Sequence, residues 1–71
     1  MNKSVDIWVS INKNGFINMT IDKPERNTDV GKWTYKQPFV SSVIYNEIKQ
    51  LVEHSHLTWE SEAEFLTIQL E

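Results

Sequence analysis

The sequence contains no cysteine, and its 71 residues include only two glycines and two prolines. Without cysteine there are no disulfides and no thiolate metal ligands, so two common staples of small domains are excluded. The isolated Gly15 and Gly31 cannot build a phosphate-cradling loop. No Gly-x-Ser-x-Gly elbow occurs, and capping of a helix accounts for Ser41 and Ser42. Basic charge is sparse, with seven Lys and Arg against ten Asp and Glu and a net charge of −3. Phosphate-backbone affinity is built from clustered Lys and Arg, so nucleic acid is not an expected partner. The acidity is too mild and too scattered for a nucleic-acid mimic. No apolar run is long enough for a signal peptide or a membrane span. The expectation is a cytoplasmic protein without a membrane partner.

What is present suits one small folded unit, residues 1–71. The apolar fraction is 39%, with three Trp, three Phe and two Tyr, which argues against disorder. A domain of this size buries only about 60% of the surface of its unfolded chain. Its stability must come from a compact core, and self-association as a homodimer would add to it.

Residues 5–11, VDIWVSI, alternate strictly, with Val5, Ile7, Val9 and Ile11 on one face. Residues 17–21 alternate again through Ile17, Met19 and Ile21. A two-residue Asn-Gly turn would set apolar residues against polar ones along the ladder. A three-residue loop, Lys13-Asn14-Gly15, instead pairs Ile11 with Ile17, Val9 with Met19 and Ile7 with Ile21. That register keeps one face apolar, with Gly15 as a left-handed bulge. It also puts Trp8 opposite Thr20 on the outer face, near Phe16. There Trp8 either lies under a loop or forms part of an interaction surface.

Residues 32–36, KWTYK, form a short strand candidate closed by Pro38. The run 40–55 then has helical periodicity, with Val40, Val43, Ile44, Ile48, Leu51, Val52 and Ser55 on one side. Ser41 is the N-cap, Val40 is placed to staple onto Tyr45, and the helix ends near His54. Residues 64–71 close the chain as a strand. The fold class is therefore α+β: a small antiparallel sheet of three to four strands with one helix packed on one face, in the order β-β-(β)-α-β. The expected core is Val5, Ile7, Val9, Ile11, Ile17, Met19, Ile21, Ile44, Ile48, Leu51, Val52, Leu66, Ile68 and Leu70. The place of the last strand in the sheet is not readable from the pattern.

Chemistry-bearing patterns are few. His54 and His56 alternate as metal ligands can, but no third ligand is assured, and solvated histidines at a helix end account for them. Glu60, Glu62 and Glu64 alternate without a pocket to separate their pKa values. They read as a solvated acidic face that guards against edge pairing. No catalytic residue, metal site or cofactor is assigned. The most polar stretch, residues 22–33, DKPERNTDVGKW, gathers Lys23, Arg26 and Lys32 near Lys36, with Trp33 and Tyr35 interleaved. It is either a hydrated connection with Trp33 at the core margin, or a grip on a partner or an anionic planar ligand. The candidate binding residues are Arg26, Lys32, Trp33, Tyr35 and Trp8.

Three short motifs, Lys23-Pro24-Glu25-Arg26, Gly31-Lys32-Trp33 and Leu57-Thr58-Trp59-Glu60, span about half the chain. Their pattern resembles that of short uncharacterised proteins from bacteriophage, prophage and related bacterial genomes. The helix at 43–54 is a departure, since many of those proteins carry only a loop there. The resemblance implies an accessory protein in a bacterial host cytoplasm, with no established activity. The leading expectation is a small non-catalytic binding protein that acts by protein–protein contact on a host factor. The alternative is a module that captures a small anionic ligand, such as a nucleotide signal, through Arg26, Lys32, Trp33 and Tyr35. A small hydrolase using the glutamates ranks third.

Overall fold

A computed structural model describes residues 3–55 and 57–69. Strand β1 covers Ser4–Ile11 and β2 covers Ile17–Thr20. Two short strands follow, β3 at Glu25–Asn27 and β4 at Lys32–Thr34. Helix α1 spans Ser42–Glu53 and β5 spans Glu64–Gln69. One sheet has the order β2-β1-β5, and β3 and β4 form a second, two-stranded sheet. All pairings are antiparallel. The α+β class, the small sheet and the single helix agree with the sequence.

The first hairpin has the register that the apolar alternation requires. Ile11 faces Ile17, Val9 faces Met19 and Trp8 faces Thr20. Gly15 has a φ of +92°, and its N–H donates to the Asn12 carbonyl at 2.9 Å. This is the left-handed bulge position that glycine fills without a Cβ penalty. The ladder stops at Thr20, so the expected Ile7–Ile21 pair does not form. Ile21 is 39% exposed, because its N–H has turned away to Gln37 O at 2.9 Å.

The core is a cluster of Ile7, Val9, Ile44, Ile48 and Ile68, with Val5, Ile17, Met19, Val52 and Leu66 packed partly against it. Phe39 and Leu57 join this margin and were absent from the expected core. The helix buries a narrow stripe through Ile44 and Ile48, residues one turn apart on one face. Leu51, expected inside, flanks that stripe and is 52% exposed. Leu70 and His56 lie outside the described residues. Ser41 caps α1, its Oγ accepting from Ile44 N–H at 3.3 Å. Val40 is 88% exposed rather than buried as a staple against Tyr45.

Residues 25–27, inside the polar 22–33 stretch, form a strand rather than a loop. The chain reverses over residues 28–31, where Asn27 Oδ1 accepts from Asp29 N–H at 3.1 Å and Gly31 has a φ of +70°. This hairpin docks on the end of β1. Trp33 Nε1 donates to Ile11 O at 2.8 Å, Trp33 N–H donates to Asn12 Oδ1 at 3.2 Å, and Lys13 N–H donates to Gly31 O at 2.9 Å. Asn12 Oδ1 also accepts from Asn18 Nδ2 at 2.7 Å. One buried amide oxygen thus ties the two hairpins together. Trp33 is buried, outside the central cluster of Ile7, Val9, Ile44, Ile48 and Ile68.

Candidate functional site

The residues singled out from sequence separate into three places. Arg26 and Trp33 meet: the guanidinium carbon lies 4.8 Å from the Trp33 ring centre and 5.4 Å from that of Trp59. The two indoles contact edge-on at 6.0 Å. Arg26 Nη2 also donates to the carbonyls of Ser61 at 2.7 Å and Trp59 at 3.1 Å. Its Nη1 is 4.0 Å from the exposed carboxylate of Glu62. The three short motifs therefore converge on one arginine. Arg26 is spent on holding the 57–62 loop against β3 and β4, and Trp33 is buried beneath it. Arg26 keeps 28% of its side chain exposed, whereas Trp33 is buried.

Trp8 stands apart, packed on Phe65 at 4.9 Å with the Lys23 ammonium 5.7 Å from its ring. It is half-covered, as a tryptophan under a loop would be. Lys32 is exposed on β4. His54, also exposed, closes the helix through its backbone N–H to Gln50 O and Leu51 O. Among the described residues, no three His, Cys, Asp or Glu side chains gather as a metal site would require.

Tyr35 lies elsewhere, in an apolar groove of about 430 Å³ between β2, residues 35–40 and the start of α1. Phe16, Met19, Phe39, Val40 and Tyr45 form most of its wall. Phe16 is 60% exposed, and Tyr35, Val40 and Tyr45 add to the same uncovered surface. No charged side chain among the described residues lines the groove, and its polar edge is Asn18, Ser41, Ser42 and Asn46. A larger depression of about 670 Å³ lies between the first turn and the 57–60 loop. Its wall carries Lys13 and Glu60, and its apolar members Leu57 and Trp59 are committed to internal packing.

The groove is built by a second set of contacts along the outer edge of β2. Asp22 accepts the backbone N–H groups of Lys36 at 2.8 Å and Gln37 at 2.9 Å. The Lys36 bond, foremost, and that of Gln37 hold this carboxyl below its ordinary range, against a smaller opposing effect of desolvation. So anchored, residues 37–39 run beside β2, with Phe39 N–H on Met19 O at 2.9 Å and Pro38 bridged to Thr20. The Ser41 cap then starts the helix, which brings Tyr45 round to face Phe16 and Tyr35 across the groove. Sequence reasoning missed this site because its members are scattered from 16 to 46. The signals were Tyr35, already a candidate, and Phe16, which shares an otherwise polar face with Trp8.

Compared with known proteins, the chain matches no family model, no curated protein and no solved structure. Among the described residues, no helix is long and apolar enough to cross a membrane.

Proposed function

We propose that this chain is a small non-catalytic binding protein that acts by protein–protein contact through the Phe16–Tyr35–Tyr45 groove. The observation behind this reading is the groove's composition: exposed aromatic and aliphatic walls, tyrosine hydroxyls, and amides at the rim. Aromatic anchors with a polar rim are what protein interfaces use for affinity. The partner segment is apolar and uncharged where it enters, because a charge placed there would be desolvated without a counter-ion. The motif resemblance supplies the proposed setting, a phage- or prophage-type accessory protein acting on a host factor. The alternative, an anionic-ligand module, loses support from the internal engagement of Arg26 and Trp33.

The test combines native mass spectrometry with affinity capture from a bacterial lysate, using the natural chain and a Phe16→Asp/Tyr45→Asp variant. The expected result is a stoichiometric protein partner, identified by mass, that the variant loses while keeping its fold. A partner retained by the variant would remove the groove from the reading. A bound mass of a few hundred daltons that is lost in Arg26→Ala would favour the ligand module.

A further inference from the structure

The two outer edges of the main sheet are treated differently. The β2 edge is covered by residues 37–39, with Pro38 among them. The β5 edge has no strand beside it among the described residues. Its sequence, Glu-Phe-Leu-Thr-Ile-Gln, has one charge, at its first position, and neither lysine nor proline. Natural sheets protect bare edges with such residues, and an edge lacking them is a template for pairing. Glu60 and Glu62, two of the three acidic residues read as guards, precede the strand.

We infer that the β5 edge is the contact surface between two copies of this chain, paired antiparallel about a two-fold axis through Thr67. In an antiparallel pair, directly opposed residues share a face, so a symmetric pairing must centre on a residue. An axis through Thr67 sets Leu66 against Ile68 of the second copy and Phe65 against its Gln69. Within one chain Leu66 is paired with Ile7, and Ile68 with Val5. The helix-covered face therefore continues through the axis as unbroken apolar rows, Ile7-Leu66 meeting Ile68-Val5. An axis through Leu66 would bring Glu64 against Ile68 and place a carboxylate in that row. A cleft of about 110 Å³ near the start of β5 is lined by exposed Leu51 and half-buried Val52 and Leu66, with Ser55 and Glu64 among its polar members. The contact does not involve the groove, and groove variants leave it intact.

Two measurements test the pairing. In analytical ultracentrifugation the natural chain moves from 8.4 kDa toward twice that mass as concentration rises. Thr67→Glu, an exposed substitution that sets two carboxylates face to face with the Asp6 carboxylate of each copy beside them, keeps its fold by circular dichroism and stays at the single-chain mass. In the cysteine-free background, Thr67→Cys cross-links on mild oxidation, because opposed residues have Cα atoms about 4.5–5.5 Å apart, within disulfide reach. Gln69→Cys does not, because the two copies of residue 69 are offset by four residues, about 13 Å along the strand. A natural chain that remains at 8.4 kDa to millimolar concentration would overturn the inference. A dimer that survives Thr67→Glu, or equal cross-linking at 67 and 69, would do the same.

Discussion

Arg26 and Trp33 are direct partners across the β3–β4 ladder, and the guanidinium lies 4.8 Å from the indole ring centre. The flat cation sits against the Trp33 and Trp59 rings while its Nη2 reaches two carbonyls of a loop more than thirty residues away. An ammonium cannot match that combination of plane and fork. Arg26→Lys is expected to lose about 1–2 kcal/mol and Arg26→Ala about 2–3 kcal/mol, from the charged hydrogen bonds and the stacking together. Urea unfolding measures the loss. Hydrogen exchange at residues 57–62 should accelerate in both variants while β1 stays protected, and an unchanged loop would contradict the clamp.

Gly31 combines a φ of +70° with close approach to a neighbour. A Cβ there would sit 3.1 Å from Lys13 Cβ. Gly31→Ala is therefore expected to cost about 1–2 kcal/mol from the left-handed backbone alone, a fall in melting temperature of roughly 4–16 °C for a domain of this size. Gly15 has open space around its Cβ position, so Gly15→Ala carries only the backbone cost and should fall less.

Asp22 ties acidity to the groove. Its folded-state pKa is lowered, so its contribution is fully present above the unfolded value of about 3.9 and fades as pH falls through the folded one. Asp22→Asn should be less stable than the natural chain at neutral pH. The difference should shrink as the carboxyl takes up its proton below about pH 4. Parallel thermal melts across that range decide the matter, and a pH-independent difference would contradict this role.

Ser10 is buried, and its hydroxyl has no hydrogen-bond partner among the described residues. Removing an unsatisfied buried hydroxyl recovers its desolvation cost. Ser10→Ala should be neutral or stabilising by up to about 1 kcal/mol, in contrast to Ile48→Ala at the core centre, where about 2–5 kcal/mol is lost. Denaturant midpoints for the two variants give the comparison directly.

The first hairpin was legible because two local constraints agree. Alternation along 5–11 and 17–21 admits one register that keeps an apolar face, and Gly15 sits where that register needs a positive φ. The helix was legible from Ser41 and the Ile44–Ile48 spacing. The position of β5 was not, since either edge of a hairpin offers an equivalent ladder and nothing in its own residues chooses between them. The choice rests on residues 36–39, which occupy the β2 edge through Asp22. The burial of Trp33 depends on Asn12 and Ile11, about twenty positions earlier. The groove depends on Phe16, Tyr35 and Tyr45 meeting across three elements. Pairings of this range leave no periodic trace in the chain.

The central strand has one neighbour that begins six residues after it ends and another that arrives at residue 64. On a ribosome, β1 and β2 emerge well before Ile68. Until it does, Ile7 and Val9 lack part of the cluster that buries them. Until β5 follows, the nascent chain carries an uncompleted apolar face. Closure of the sheet is then a long-range event, and it sets the pace of folding.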